Sequence, residues 1–234
     1  MSKKRTIFIS DIHGCLDSFE ELLDKIQYNV NEDRLIILGD LVDRGPDSIG
    51  VLRKVRSMEV ECIRGNHDQK ILKWDNNNRL FYQDKTESYY QHLTNEDIEF
   101  IFKMPLYIKL DDVVAIHAGM RPYKPIEDQK DDDLMYLRYT DAKGKTISLH
   151  KVDKLGAEQA GAHFWTEFGP FETNIVYGHH VYMDGINIHK YDNGTACYGI
   201  DGGICFGGSL NALIWETKEV ISVKAKKQHR KLGF

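Results

Sequence analysis

Leu35-Ile36-Ile37-Leu38-Gly39-Asp40-Leu41-Val42-Asp43-Arg44-Gly45-Pro46-Asp47 decides the fold. The first four residues form an apolar, β-branched run that reads as a buried strand. Asp40, Asp43 and Arg44 follow at its carboxyl end. Gly45-Pro46-Asp47 breaks the chain, and Ser48 to Arg56 reads as a helix. The same grammar holds on either side. Thr6 to Ile9 is a strand that delivers Asp11 and His13, and Leu16, Phe19, Leu23 and Ile26 then recur at helical spacing. Val60 to Ile63 is a strand that delivers Gly65-Asn66-His67, with a helix from Gln69 to Trp74. Strands alternating with helices imply parallel pairing and crossover connections. In such sheets chemistry gathers at the carboxyl ends of the strands.

Beyond Trp74 the pattern loosens. Asp75 to Arg79 is a polar break, and residues from about Phe81 to Met104 read as mostly helical, with a cap at Thr94. Leu106 to Leu110 and Val113 to Ile116 form a hairpin whose second strand delivers His117. Arg121 to Lys154 is polar and irregular, a surface insertion or a lid. Ile175 to Tyr177 delivers Gly178-His179, and short antiparallel strands fill the remainder to about Val223. No linker divides the chain, so residues 1–234 are expected to form one domain.

With 41% hydrophobic residues the chain can bury a sizeable core, and a net charge of −5 argues against a specific nucleic-acid partner. Any phosphate site must therefore supply its own cations. The four cysteines have no metal-ligand spacing and read as reduced thiols in a cytoplasmic protein, although Cys197 and Cys205 could pair across a hairpin. No apolar run reaches the roughly 20 residues of a membrane span. The tail Lys224 to Lys231 carries five Lys and Arg residues, either a solvated terminus or a contact for an anionic partner.

The five clusters at strand ends offer hard oxygen and imidazole ligands and almost no sulfur. Such a set can hold two divalent ions, a device for phosphoester hydrolysis. In order they run Asp11-Ile12-His13-Gly14, Gly39-Asp40-Leu41-Val42-Asp43-Arg44-Gly45, Gly65-Asn66-His67-Asp68, His117-Ala118-Gly119 and Gly178-His179. The series resembles that of the calcineurin-like metallophosphoesterases. Within that superfamily it resembles the phosphoprotein-phosphatase branch, which holds bacterial and phage Ser/Thr protein phosphatases and the diadenosine-tetraphosphate hydrolases.

The resemblance implies an α/β sandwich of two mixed β-sheets flanked by helices. It implies Asp11 and His13 as ligands of a first metal, Asp40 as a bridge, and Asn66, His117 and His179 as ligands of a second. Manganese is expected foremost, with iron or zinc as alternatives. The nucleophile would be a metal-activated water attacking phosphorus in line. By the same resemblance His67 is the general acid, with Asp43 accepting its other N–H; the bland alternatives are a loop histidine or a ligand. Arg44 and Arg64 are expected to bind phosphate through their guanidinium forks. Arg138 is a third such arginine, or a solvated residue of the insertion.

The pattern of Arg64 before Gly-Asn-His points to a phospho-Ser/Thr protein phosphatase. Asp68 in place of the usual Glu, and Trp165 with Gly169-Pro170, point instead to hydrolysis of dinucleoside polyphosphates. A nuclease shares part of the pattern, but Asp43-Arg44-Gly45 argues against it. A metal-free scaffold would have lost ligands, and none is missing.

Overall fold

The computed structural model describes residues 5–76 and 88–231. Residues 1–4, most of the polar break after Asp75 and the first part of the expected helix from Phe81 lie outside the described residues. The first strands and helices follow the expected alternation: β1 (Arg5–Ile9), α1 (Leu16–Lys25), β2 (Asp33–Ile37), α2 (Ser48–Met58), β3 (Glu61–Cys62) and α3 (Asn66–Asn76). α4 (Asn95–Lys103) is preceded by a 3-10 turn at Ser88–His92. Thr94 caps α4 as expected: its side chain accepts from the Asp97 N–H, and Asp97 answers by accepting from the Thr94 N–H. The hairpin strands are β4 (Tyr107–Lys109) and β5 (Val113–Ile116).

The segment expected to be irregular is partly ordered. It contains α5 (Asp131–Tyr136), β6 (Tyr139–Thr140), β7 (Thr146–Ile147) and α6 (Leu149–Leu155), followed by α7 (Ala157–Ala160) and β8 (His163–Phe164). β7, β6 and β8 make a small sheet, and Arg121 forks onto Asp133 at 2.5 and 2.8 Å and also donates to the Thr146 hydroxyl, tying α5 to β7. Two-residue strands are too short to leave a period-two signature in sequence.

The remaining strands are β9 (Asn174–Tyr177), β10 (Asn187–Lys190), β11 (Ala196–Gly199), β12 (Ser209–Ile214) and β13 (Glu219–Lys224). They divide between two five-stranded mixed sheets, ordered β13-β12-β1-β2-β3 and β10-β11-β9-β5-β4. The expectation of a purely antiparallel C-terminal region fails at β11, which pairs parallel to β9. Cys197 and Cys205 are free and buried.

Strand alternation builds the two apolar layers. Ile7, Ile9, Leu35 and Ile37 pack with Phe19, Leu22, Val51 and Leu52 of α1 and α2. Phe8, Ile36 and Leu38 point the other way and meet Val113, Ala115, Val176 and Tyr198 of the second sheet. The Trp215 indole donates to Asp112 at 3.0 Å and ties the sheets at one end.

Parallel register sets where the chemistry falls. Ile9 pairs with Ile37, and Ile37 with Cys62, so the loops carrying Asp11, Asp40 and Asn66 leave the first sheet side by side. In the second sheet Ile116 pairs with Tyr177, and Tyr177 with Gly199. His117, His179 and Asp201 therefore leave side by side as well.

Candidate active site

The two rows of strand ends converge on one buried cluster. Ligand atoms of His13, Asp40 and His67 lie within 4.8 Å of one another, and so do those of Asp40, His117 and His179. Asp40 belongs to both groups, as a bridging carboxylate should. His117 Nδ1 donates to the Leu38 carbonyl at 2.7 Å across the sheet interface, and His13 Nδ1 donates to the Val42 carbonyl at 2.9 Å. Both rings are thereby fixed with Nε2 turned toward Asp40, at 3.5 Å for His117 and 3.6 Å for His13. The Asn66 side-chain oxygen lies 3.1 Å from His117 Nε2. Asp11 takes the His179 N–H at 3.1 Å.

The backbone is bent to present these groups. His13, Asp40, Asp43, Arg44 and His179 all sit at positive φ, between 47° and 70°. Left-handed residues other than glycine are strained by about 1–3 kcal/mol each and persist where surrounding structure enforces them. Here Asp68 supplies part of that enforcement, accepting the N–H groups of Asp40, Leu41 and Gly65 at 2.8–3.0 Å. A Cβ on Gly65 would strike the Asp40 carboxylate, and one on Gly178 would strike that of Asp11.

The residues fit a pair of cations. His179 Nε2 is buried without a hydrogen-bond partner among the described residues. Burial lowers the His13 imidazole to about 3 and pulls those of His117 and His179 down too, so all three present neutral nitrogens. Burial alone would raise Asp40, but the ring nitrogens of His117, His67, His13 and His179 that face it favour the ionised form and hold the carboxyl below its ordinary range. Asp11 is raised by burial and by the charges of Asp201 and Asp40. Three buried carboxylates facing neutral imidazoles form a site short of positive charge.

Beside this cluster His67 Nδ1 lies 2.6 Å from Asp43 Oδ2, and the His67 N–H donates to Asp40 at 2.7 Å. Burial raises the Asp43 carboxyl, but the bond to His67, the Tyr89 hydroxyl and the Lys70 charge bring it down to about 2. Arg44 donates to His13 Nε2 at 3.0 Å and lies over the Phe206 ring. Arg138 donates to the His179 carbonyl at 2.9 Å; burial and the nearby charge of Arg44 lower its pKa. Two guanidinium groups brought together at a site rim are a ready fork for phosphate.

Arg64 goes elsewhere. Its guanidinium donates to the Phe102 carbonyl at 3.3 Å and lines a cavity of about 580 Å³ with Gln69, Leu72, Phe102, Asp131 and Met135. The structure does not bring it beside Arg44: the Arg64 backbone N–H donates to the Pro105 carbonyl, and the side chain leaves on the α4 side. Asp201 is the residue that sequence reading passed over. It is buried among Arg44, Asp40 and Arg138, and burial pushes it up to about 6. Only the β9–β11 register marks it, two residues past a strand end like Asp11 and His179.

Curated relatives match the chain end to end. An asymmetrical bis(5'-nucleosyl)-tetraphosphatase, PrpE, of Oceanobacillus iheyensis is 28% identical over 93% of this chain and 91% of its own. A symmetrical bis(5'-nucleosyl)-tetraphosphatase of Escherichia coli is 28% identical over 97% of this chain and 98% of its own. The crystal structure of a candidate diadenosine tetraphosphatase superposes with a TM-score of 0.79 at 26% identity, covering 96% of this chain and 95% of the other. A protein serine/threonine phosphatase of Saccharomyces cerevisiae shares the fold, with a TM-score of 0.65 at 15% identity over 96% of this chain and 80% of its own. The model of the calcineurin-like phosphoesterases matches residues 4–208, and the chain belongs to that family of metal-dependent phosphoester hydrolases.

Proposed function

We propose that the protein hydrolyses dinucleoside polyphosphates, with dinucleoside tetraphosphates as the substrate class. The observation that carries this reading is the end-to-end likeness to tetraphosphatases of both cleavage types. The phosphoprotein reading has less behind it: the Arg64 side chain lies on the α4 side, and the likeness to the yeast phosphatase is one of fold.

Asp11 and His13 would hold one divalent ion, Asn66, His117 and His179 the other, with Asp40 shared. Divalent ions held by these residues would supply Lewis acidity and would acidify a bound water enough to make it a nucleophile near neutral pH. Manganese suits the mixed oxygen and nitrogen donors, and iron or zinc suits them as well. Arg44 and Arg138 grip the equatorial oxygens. His67 gives its proton to the leaving oxygen, and Asp43 keeps the ring turned toward it. Among the described residues no helix is long and apolar enough to cross a membrane, and the four free thiols support a cytoplasmic location.

Product analysis after incubation with Mn²⁺ and diadenosine tetraphosphate tests the reading. Symmetrical cleavage yields two nucleoside diphosphates; asymmetrical cleavage yields a monophosphate and a triphosphate. A far higher kcat/KM on a phosphoserine peptide would overturn it.

A further inference from the structure

The Asp43 carboxylate carries more donors than an acid–partner pair requires. His67 Nδ1 and Lys70 Nζ share Oδ2, at 2.6 and 3.2 Å, and the Tyr89 hydroxyl donates to Oδ1 at 2.6 Å. Lys70 lies one helical turn after His67 in α3, so the helix pitch brings its ammonium to 3.0 Å from His67 Nδ1. Tyr89 arrives from a separate element, the turn at Ser88–His92. Its ring packs on Tyr90, which packs on Trp74 of α3. Neither residue falls in the five strand-end clusters.

A carboxylate held at one oxygen can swing about a torsion with a broad, two-fold profile. An imidazole hung from it then rocks, and a proton donor must stand within about 2.6–3.2 Å of the atom it serves. Anchoring the second oxygen from another element removes that freedom.

We propose that Tyr89 and Lys70 are positioning residues that clamp Asp43 from two elements, so that His67 is aimed at the leaving oxygen. The proposal rests on the reading of His67 as proton donor. Tyr89→Phe keeps the ring packing, and Lys70→Met keeps the stem of a side chain that is 43% exposed.

The experiment compares full-length, Mn²⁺-loaded variants on phenyl phosphate, whose leaving group needs a proton, and 4-nitrophenyl phosphate, whose leaving group needs one less. Each variant is expected to lose about tenfold in kcat on phenyl phosphate and less than about twofold on the nitrophenyl ester, with metal content unchanged. In a His67→Asn background neither substitution should add more than about twofold. On histidine-labelled protein without substrate, the low-field Nδ1–H resonance that His67→Asn removes should broaden in Tyr89→Phe. Equal losses on both esters, or loss of metal, would make the role structural and overturn the clamp. Wild-type rates in both variants would overturn it while sparing the acid. If His67→Asn itself were indifferent to the leaving group, acid and clamp would fall together.

Discussion

The two sheets contribute unequal halves of the site. The first sends three consecutive strand–loop–helix units, and each loop brings several groups at once: Asp11 with His13, Asp40 with Asp43 and Arg44, Asn66 with His67. The second sends single residues, His117, His179 and Asp201, from strands that are distant in sequence and aligned only by register. Arg138 comes from the segment between them and reaches His179 through its carbonyl. The first half is a local construction and the second a tertiary one. Losses should therefore be largest where a single residue joins the two.

Asp40 is that residue, since its carboxylate meets His13 and His67 on one side and His117 and His179 on the other. Asp40→Ala is expected to release metal, measured by elemental analysis, and to lower kcat/KM by about 10³-fold or more, some 4 kcal/mol of transition-state stabilisation. Retention of both ions by the variant would mean that the halves bind independently. Next come the rim cations, Arg44 from the first half and Arg138 from the segment between the two. Arg44→Ala and Arg138→Ala are each expected to lose about 10²-fold in kcat/KM on a dinucleoside tetraphosphate, with normal metal content. An intact Arg138 variant would leave phosphate recognition to the first half and take the intervening segment out of it.

This asymmetry also explains what the sequence could convey. The parallel strands β1, β2 and β3 and the residues of the first half were legible because strand, loop and helix lie within about a dozen residues of one another, where hydrophobic period changes are visible. His117 and His179 were legible through their short motifs. Asp201 was not, because a lone aspartate in the glycine-rich run from Gly199 to Gly208 has no local signal. Its place follows from β11 lying parallel to β9, which the short strands concealed. Tyr89 and Lys70 were hidden for a related reason: their partner is a side chain 46 and 27 residues away.

The frame around the first half gives a smaller effect. Asp97, buried at the start of α4, takes Arg56 at 2.7 Å and Arg53 at 3.1 Å, and these arginines belong to the α2 that follows the Asp43-Arg44 loop. Asp97→Ala is expected to lower stability by about 2 kcal/mol, read by urea unfolding. Burial raises the Asp97 carboxyl, but Arg53 and Thr94 outweigh it and leave it below the ordinary value of 3.8. A group lowered in the folded state stabilises fully above its unfolded value and loses that contribution as pH falls through the folded one. The gap between wild type and Asp97→Asn should thus be full at pH 6 and close below about pH 4. A gap that widened in acid would reverse the assignment.

The smallest effect is expected at Arg64, and there the contrast between motif and placement is sharpest. Its position before Gly65-Asn66 puts it in the motif of the first half, yet its side chain contacts Phe102 and the cavity beside α4 and α5. Burial lowers its pKa, and the charges that oppose this are Asp131 and Asp68, not the carboxylates of the metal cluster. A guanidinium so placed cannot fork onto a phosphate held by Arg44 and Arg138 without abandoning the Phe102 carbonyl. Arg64→Ala is therefore expected to change kcat/KM on a dinucleoside tetraphosphate by less than about threefold, under 1 kcal/mol. A hundredfold loss, equal to that of Arg44→Ala, would show that the side chain swings into the site when substrate binds and would restore the three-arginine phosphate grip that the motif implies.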